Sequence, residues 1–565
     1  MKKQYSPGKI FLRDTIKAYL NNICRLRKAF SKTPRRKNGG KKMSVFSENK
    51  FENEVRNESE NECIMLPEEV KGKGYFALTG SKLKAYVEKW LDGIDEERDF
   101  VEEILDYCKR SRKTVYRRAA YRNAVYGITG LPSTGKTTGL LQAIRKLAAY
   151  EKCVYISFDR KTDGDLDTLQ QLLDRLNDDH KYVFIDEITC MKDFTNRIGI
   201  LMDQYTSRGK RVVMSGTDSY AFLKVDRCWH IGCFRSISFM SYEEARRTTR
   251  MDFSSYLMSG GLYGTEKYKG TKGLWNYIKD SIVDNLAFSV RRNPIECSFA
   301  DMSETELCQA VFLTMCIIVC SWEEDLQLDG LLDTIFTGER STRRSKIIGN
   351  LGQELGITFK RVERQVIEDI LRMLEDMKVV VVILNLHRDS YGAKYMITVP
   401  FLVNQIAWLI ANHVVKTGEK RKEESVRQIN EIALKSVVIS HTAYHLWHKT
   451  CYYYRDDKTE VDLVLLDQED LRLEELQASL VDINITNHAD TAYEKGQRMK
   501  EVNPYFFEEL VYGIDERIIL YLGPTNKKKG LTNVMDFLES YQQRNIKTEK
   551  YLDEMEKMLM DEQKQ

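Results

Sequence analysis

The stretch GLPSTGKTT, Gly130–Thr138, matches the phosphate-binding pattern G-x-x-x-x-G-K-[ST]. Gly130 and Gly135 let the backbone curl through Leu131, Pro132, Ser133 and Thr134 so that its N–H groups face an anion. Lys136 is placed to reach the β- and γ-phosphates of a nucleotide. Thr137 is placed to ligand Mg²⁺ through its hydroxyl, and Thr138 continues into a helix whose N-terminus adds partial positive charge. Farther on, YVFIDEI ends an apolar run in two acids. Asp186 suits contact with Mg²⁺, directly or from the second shell. Glu187 suits the base that orients and polarises an attacking water, which argues for hydrolysis over binding alone. In RVVMSGTDS, Arg211–Ser219, the hydroxyls of Ser215 and Thr217 are open between sensing a γ-phosphate and ordinary turn chemistry.

A second set of carboxylates lies in TEVDLVLLDQEDLRLEELQAS, Thr459–Ser479. Asp462 sits in a short apolar run, and Glu475 follows after a polar turn. Two acids on adjacent strands can hold a metal ion. A metal-dependent nuclease wants a lysine two residues after the second acid, and here the residue is Gln477. Glutamine hydrogen-bonds a water but carries no charge, so loss of cleavage is the favoured reading. His441, His445 and His448 in HTAYHLWH share one helical face, but no nearby acid or cysteine completes a metal set.

These residues need a scaffold. AVYGITG, CVYISFD, YVFIDEI and RVVMSGT read as strands, and GKTTGLLQAIRKLAAY and LDTLQQLLDRLN as helices between them. That alternation predicts a parallel sheet covered on both faces. Apolar residues at helical spacing predict helices over 75–119, in LKAYVEKWLDGI and FVEEILDYCKR. RSKIIGNLGQEL and FKRVERQVIEDILRMLEDM, followed by two strands, suggest a winged helix. Lys360, Arg361 and Arg364 open its second helix, but acids follow, so DNA contact and interdomain packing both stay open.

A chain of 565 residues with 42% hydrophobic and 30% charged side chains has ample material for several cores. No run reaches the roughly 20 apolar residues of a membrane span, and LCQAVFLTMCIIVCSW, Leu307–Trp322, reads as a buried helix. The twelve cysteines form no CxxC pair, which suits reduced thiols in a cytoplasm. Residues 1–43 carry fourteen Lys or Arg against one acid, Asp14, a balance of +13 that leaves −10 on the rest. This tail is open between binding phosphate backbones and plain solvation. Met43 offers a second candidate start.

The chain resembles the bacterial and archaeal AAA-like ATPases that carry a C-terminal nuclease-like domain of the DUF4143 type. The resemblance covers roughly residues 120–520 and rests on GLPSTGKTT, VFIDEI, VMSGTDS, VDRCWHIGCFRSISFMSYEEA, YLMSGGLYG and YYYRDDKTEVDLVL. It implies an α/β fold: an AAA-like P-loop NTPase parallel-sheet core, then a winged helix, then a PD-(D/E)XK-like α/β domain. The expected divisions are a basic then acidic tail, 1–74; helices, 75–119; an ATPase domain with a helical lid, 120–295; a helical and winged-helix domain, 296–400; a nuclease-like domain, 401–540; and a charged helix, 541–565. The expected ligands are ATP and Mg²⁺. In the nuclease-like site Asp462 and Glu475 would hold Mg²⁺, with Glu431 of INEIALKSVV as the acid on the preceding helix. Arg227, in the DRC element, is open between charge stabilisation at the γ-phosphate and a structural salt bridge. If it acts from a neighbouring subunit, ATP would favour homo-oligomers. Hydrolysis of ATP, coupled to rearrangement of degenerate C-terminal modules, is the leading expectation. The alternatives are an ATP-gated DNA nuclease and a slow nucleotide-dependent interaction switch in stress or phage defence.

Overall fold

The strands flanking the phosphate loop are apolar on both faces, so they need a covering layer on each side. The computed structural model describes residues 67–109, 125–159, 165–229, 232–237, 239–268, 270–292, 297–320, 347–351, 363–386, 393–418, 421–446, 449–456, 458–467, 477–502 and 513–541. The basic tail, the linker to residue 66, Lys360, Arg361, His448, Glu475 and the helix expected beyond Tyr541 lie outside these residues.

The first sheet begins with a hairpin, β1 (Glu69–Gly72) and β2 (Tyr75–Thr79), followed by α1 (Gly80–Trp90) and α2 (Val101–Lys109). Strict alternation comes next: β3 (Val125–Thr129), α3 (Lys136–Leu147), β4 (Cys153–Phe158), α4 (Leu166–Asp174), β5 (Tyr182–Asp186), α5 (Phe194–Ser207), β6 (Arg211–Gly216), α6 (Ser219–Trp229) and β7 (Gly232–Ser236). The spatial order is β1-β2-β4-β5-β6-β3-β7. The strands from β4 to β7 are parallel, and the hairpin is antiparallel. Tyr126, Tyr155, Phe184 and Val213 pack with α1, α2 and α3 on one face. Val125, Ile156, Ile185 and Met214 pack with α4, α5 and α6 on the other. The hairpin corrects the expectation of a tail to residue 74 and helices from 75. Its apolar run Tyr75–Leu78 is too short for periodicity to separate strand from helix. Pairing decides it, because Tyr75–Thr79 lies antiparallel against Val154–Phe158.

From residue 239 the chain is helical: α7 (Tyr242–Thr249), α8 (Phe253–Ser259), α9 (Gly270–Tyr277), α10 (Asp284–Arg292) and α11 (Glu304–Cys320). The expected buried helix is α11, whose residues from Leu307 to Val319 are nearly all buried. No described helix is long and apolar enough to cross a membrane.

The second helix and hairpin of the expected winged unit are α12 (Arg364–Asp376), β8 (Val380–Asn385) and β9 (Ala393–Ile397). Then come α13 (Pro400–Lys416), α14 (Lys422–His445), β10 (Lys449–Arg455), β11 (Glu460–Asp467), β12 (Gln477–Ile483), α15 (Ala489–Gly496), β13 (Gly513–Tyr521), β14 (Leu531–Asn533) and α16 (Val534–Glu539). All seven of these strands make one sheet, ordered β14-β13-β12-β11-β10-β8-β9. The boundary expected at residue 400 therefore falls inside a sheet. An unpaired β8 edge would expose a row of backbone donors and acceptors, and β10 takes them up in parallel. The Asn385 amide strengthens the seam, donating to Arg455 O and accepting from Arg455 N, both at 3.1 Å. One continuous apolar core joins Leu131, the helices after residue 239, α11, α13, α14 and the inner strands of this second sheet.

Candidate functional site

The phosphate loop spans the turn between β3 and α3, at the carboxyl end of the sheet, where open α/β sheets bind ligands. A Cβ on Gly130 would lie 1.9 Å from the Ile237 carbonyl oxygen, so only glycine lets this backbone approach. Gly135 has φ +81° and Ser133 φ +66°, which bends the chain into the curl that the pattern requires. Lys136 is buried, and its Nζ donates to Gly130 O at 2.9 Å and Leu131 O at 3.0 Å. Leu131 and Thr134 are buried; Pro132, Ser133, Thr137 and Thr138 are half-buried.

The acids arrive from β5. β6 separates β5 from β3, so its end lies between the loop and the acids. Thr137 Oγ1 donates to Asp186 Oδ2 at 2.7 Å, and the Tyr155 hydroxyl donates to the same oxygen at 2.9 Å. Burial, followed by the charge of Asp186, pushes the Tyr155 hydroxyl well above its ordinary range, so it stays a donor. Ser215 donates to Asp186 Oδ1 and is fully buried. Thr217 Oγ1 donates to Glu187 Oε2 at 3.2 Å. The two hydroxyls thus address different carboxylates, and Ser215 Oγ also accepts from Glu187 N at 3.4 Å. A hydroxyl and a carboxylate in contact suit Mg²⁺, with Thr137 as ligand and Asp186 beside it. Sequence reasoning missed Tyr155; its place beside the acid follows from β4 pairing with β5, Ser157 opposite Asp186.

Arg227 is not brought to this cluster. It is exposed in the last turn of α6, roughly 12 Å along that helix from its start at the sheet's carboxyl end. Its charge acts on Asp376, at the end of α12. Arg364 opens α12 and pairs with Glu368 at 2.6 Å, which occupies the one described cation of the expected reader cluster.

The C-terminal acids are arranged differently from expectation. β11 and β12 pair with Leu463 opposite Val481, which sets Asp482 against Asp462. β12 enters at the far end of β11, where Ala478 faces Leu466, so Gln477 starts the strand about 17 Å from Asp482. The residue two positions after the neighbouring acid is Asn484, and it donates to Asp482 Oδ2 at 2.7 Å. The cation comes from α14: Lys435 Nζ lies 2.7 Å from Asp462 Oδ1 and 3.7 Å from Glu431 Oε1. Burial opposes that charge, yet Asp462 holds the ammonium above its ordinary range. The other Asp462 oxygen accepts from Ile483 N at 2.9 Å. Burial, then the Asp462 charge, pushes Asp482 up to about 6. These residues do not fit a divalent metal. Both Asp462 oxygens have partners, and the Lys435 ammonium already sits within reach of both Glu431 and Asp462. Among the described residues no group of three His, Cys, Asp or Glu side chains could hold a metal. Of the expected histidines, the two described ones face other side chains: His441 is fully buried, with Nε2 against the Tyr256 hydroxyl, and the half-buried His445 ring stacks on Tyr541.

A protein-family model, the AAA domain, matches residues 122–238, the stretch from β3 to β7. That match supports a P-loop ATPase core. No curated protein matches the chain. Among solved structures, PCH-2 of C. elegans is 14% identical, over 61% of this chain and 78% of that one, with a TM-score of 0.23. The ORC2 protein of Aeropyrum pernix, in ADPNP and ADP complexes, is 13% identical over 58% and 96%, with a TM-score of 0.27. The ORC1 protein of Aeropyrum pernix, in complex with DNA, is 12% identical over 56% and 97%, with a TM-score of 0.20. Scores this low do not extend the likeness to the whole molecule.

Proposed function

We propose that the chain binds ATP with Mg²⁺ at Gly130–Thr138 and hydrolyses it to ADP and phosphate. The observation that carries this reading is the contact between Thr137 Oγ1 and Asp186 Oδ2, 2.7 Å, which joins the phosphate loop to the acidic strand end. Loop N–H groups and the α3 N-terminus receive the phosphates. Lys136 exchanges the carbonyls of Gly130 and Leu131 for the β- and γ-phosphate oxygens. Bound Mg²⁺ supplies neutralisation of the phosphate charge. Thr137 and Asp186 would hold it. Glu187 takes a proton from the attacking water as the water oxygen bonds to the γ-phosphorus and the bond to the β–γ bridging oxygen breaks. Thr217 orients the Glu187 carboxylate for that step.

The C-terminal sheet belongs to this reading as a partner of the ATPase core, in a degenerate nuclease-like form. The Lys435 cation seated on Asp462 supports loss of cleavage. Arg227, exposed and far from its own loop, suits contact with a neighbouring copy, which sedimentation with and without ATP tests. Phosphate release from ATP by wild type, Lys136→Ala and Glu187→Gln tests the core reading. We expect Lys136→Ala to lose binding. Glu187→Gln keeps binding and loses turnover by about a hundredfold or more. Wild type without ATPase activity, in the presence and absence of DNA, would sink it.

A further inference from the structure

A phosphate loop has two sides. Its N–H groups turn inward to the anion, while the carbonyls that Lys136 does not take up turn outward and need partners of their own. Two outward carbonyls are held by residues beyond the sheet's own turn. Tyr263 N donates to Ser133 O at 2.8 Å, and Arg98 Nη1 donates to Thr134 O. Arg98 comes from the connection between α1 and α2, and its side chain is fully buried. Nε lies 2.5 Å from Glu244 Oε1, and Nη2 lies 3.2 Å from Oε2, a two-pronged pair. The Asp99 N–H adds a bond to Glu244 Oε1 at 2.9 Å. The rings of Phe100 and Tyr263 flank the guanidinium, with centroids at 5.2 and 5.4 Å. A Cβ on Gly135 would lie 2.0 Å from Arg98 Nη1, so that glycine also makes room for the arginine.

A buried ion pair is weak evidence for stability, because desolvation cancels much of its attraction. This one is spent on a single carbonyl of the loop. Neither the phosphate-binding pattern nor the sheet requires a charge there. We propose that Arg98, set by Glu244, is a positioning residue for the phosphate loop. It fixes the Thr134 carbonyl outward and so aims the loop N–H groups at the phosphates before a nucleotide arrives. The inference rests on the nucleotide-binding reading above. Glu244 sits on α7, in the segment whose core runs on to α13 and α14, so the loop takes its shape partly from outside the parallel sheet.

The test titrates the full-length protein with a fluorescent ADP analogue and measures steady-state ATP turnover. Arg98→Met alone strands the buried Glu244 charge and risks misfolding. The informative variant is Arg98→Met with Glu244→Leu, which removes both charges and keeps volume. We expect thermal stability close to wild type, Kd and KM raised about tenfold or more, and kcat changed less. Arg98→Lys keeps the charge but has a single nitrogen in place of the planar fork that spans two partners, and we expect a Kd between the two. A folded double variant with wild-type Kd and KM would overturn the proposal. So would Arg98→Lys with wild-type Kd, if the double variant does not fold. Wild type that binds neither ADP nor ATP would remove the site reading itself, a separate outcome from wild-type binding with unaffected variants.

Discussion

Glu187 and Ser133 are non-glycine residues in the left-handed region, at φ 56° and 66°, and both border the phosphate site. Such backbones cost of order 1–3 kcal/mol each and persist where the surroundings impose them. At Glu187 the result is a carboxylate turned out of the strand's alternation, where Thr217 holds one oxygen at 3.2 Å. Thr217→Val keeps the shape and removes that donor. We expect kcat for ATP to fall about tenfold with little change in nucleotide Kd. Equal losses in Kd and kcat would instead place the hydroxyl on the phosphates.

At the level of elements, the register of β11 against β12 decides which charges meet. Lys435→Met leaves Asp462 buried beside Asp482 without its ion-pair partner. We expect a loss of about 3–5 kcal/mol in urea unfolding, largely recovered in Lys435→Met with Asp462→Asn. Asp482 supplies a pH test. Its carboxyl is raised to about 6 in the fold, above the ordinary value of about 3.9. Between those values the native state holds more protons than the unfolded chain, so this group lowers stability as pH rises. Asp482→Asn is therefore expected to gain on wild type from about pH 4 to pH 6, with a constant gain above. A gap that widens as the pH falls below 4 would contradict that assignment.

Across the whole molecule, the hairpin of β8 and β9 and the strands from β10 onward share one sheet, and a single apolar core reaches from Leu131 into that sheet. Asn385→Ala removes two hydrogen bonds across the β8–β10 seam. We expect it to cost about 1–3 kcal/mol. Hydrogen exchange should then speed up on both sides of the seam together, because they open as one unit. Faster exchange confined to β8 and β9 would show that the hairpin is a module of its own.

The sequence by itself determined the phosphate loop, the acids at the end of β5, the alternation around them and the buried α11. Each depends on neighbours a few residues apart: turn chemistry, helical spacing, an apolar strand ending in charge. Only the tertiary structure decided the rest. Tyr75–Thr79 became a strand because β4 offered an edge. Asp482 and Asn484 replaced Gln477 as the informative residues, because register is a property of two paired strands and not of one. Lys435 was in plain view within INEIALKSVV, but its meeting with Asp462 needs α14 packed on the second sheet. Arg98 carried no motif, and Glu244, three residues after Ser241, reads as part of a helix start. Their pairing across 146 positions of sequence exists only once the connection before α2 and the helix α7 close on the same loop.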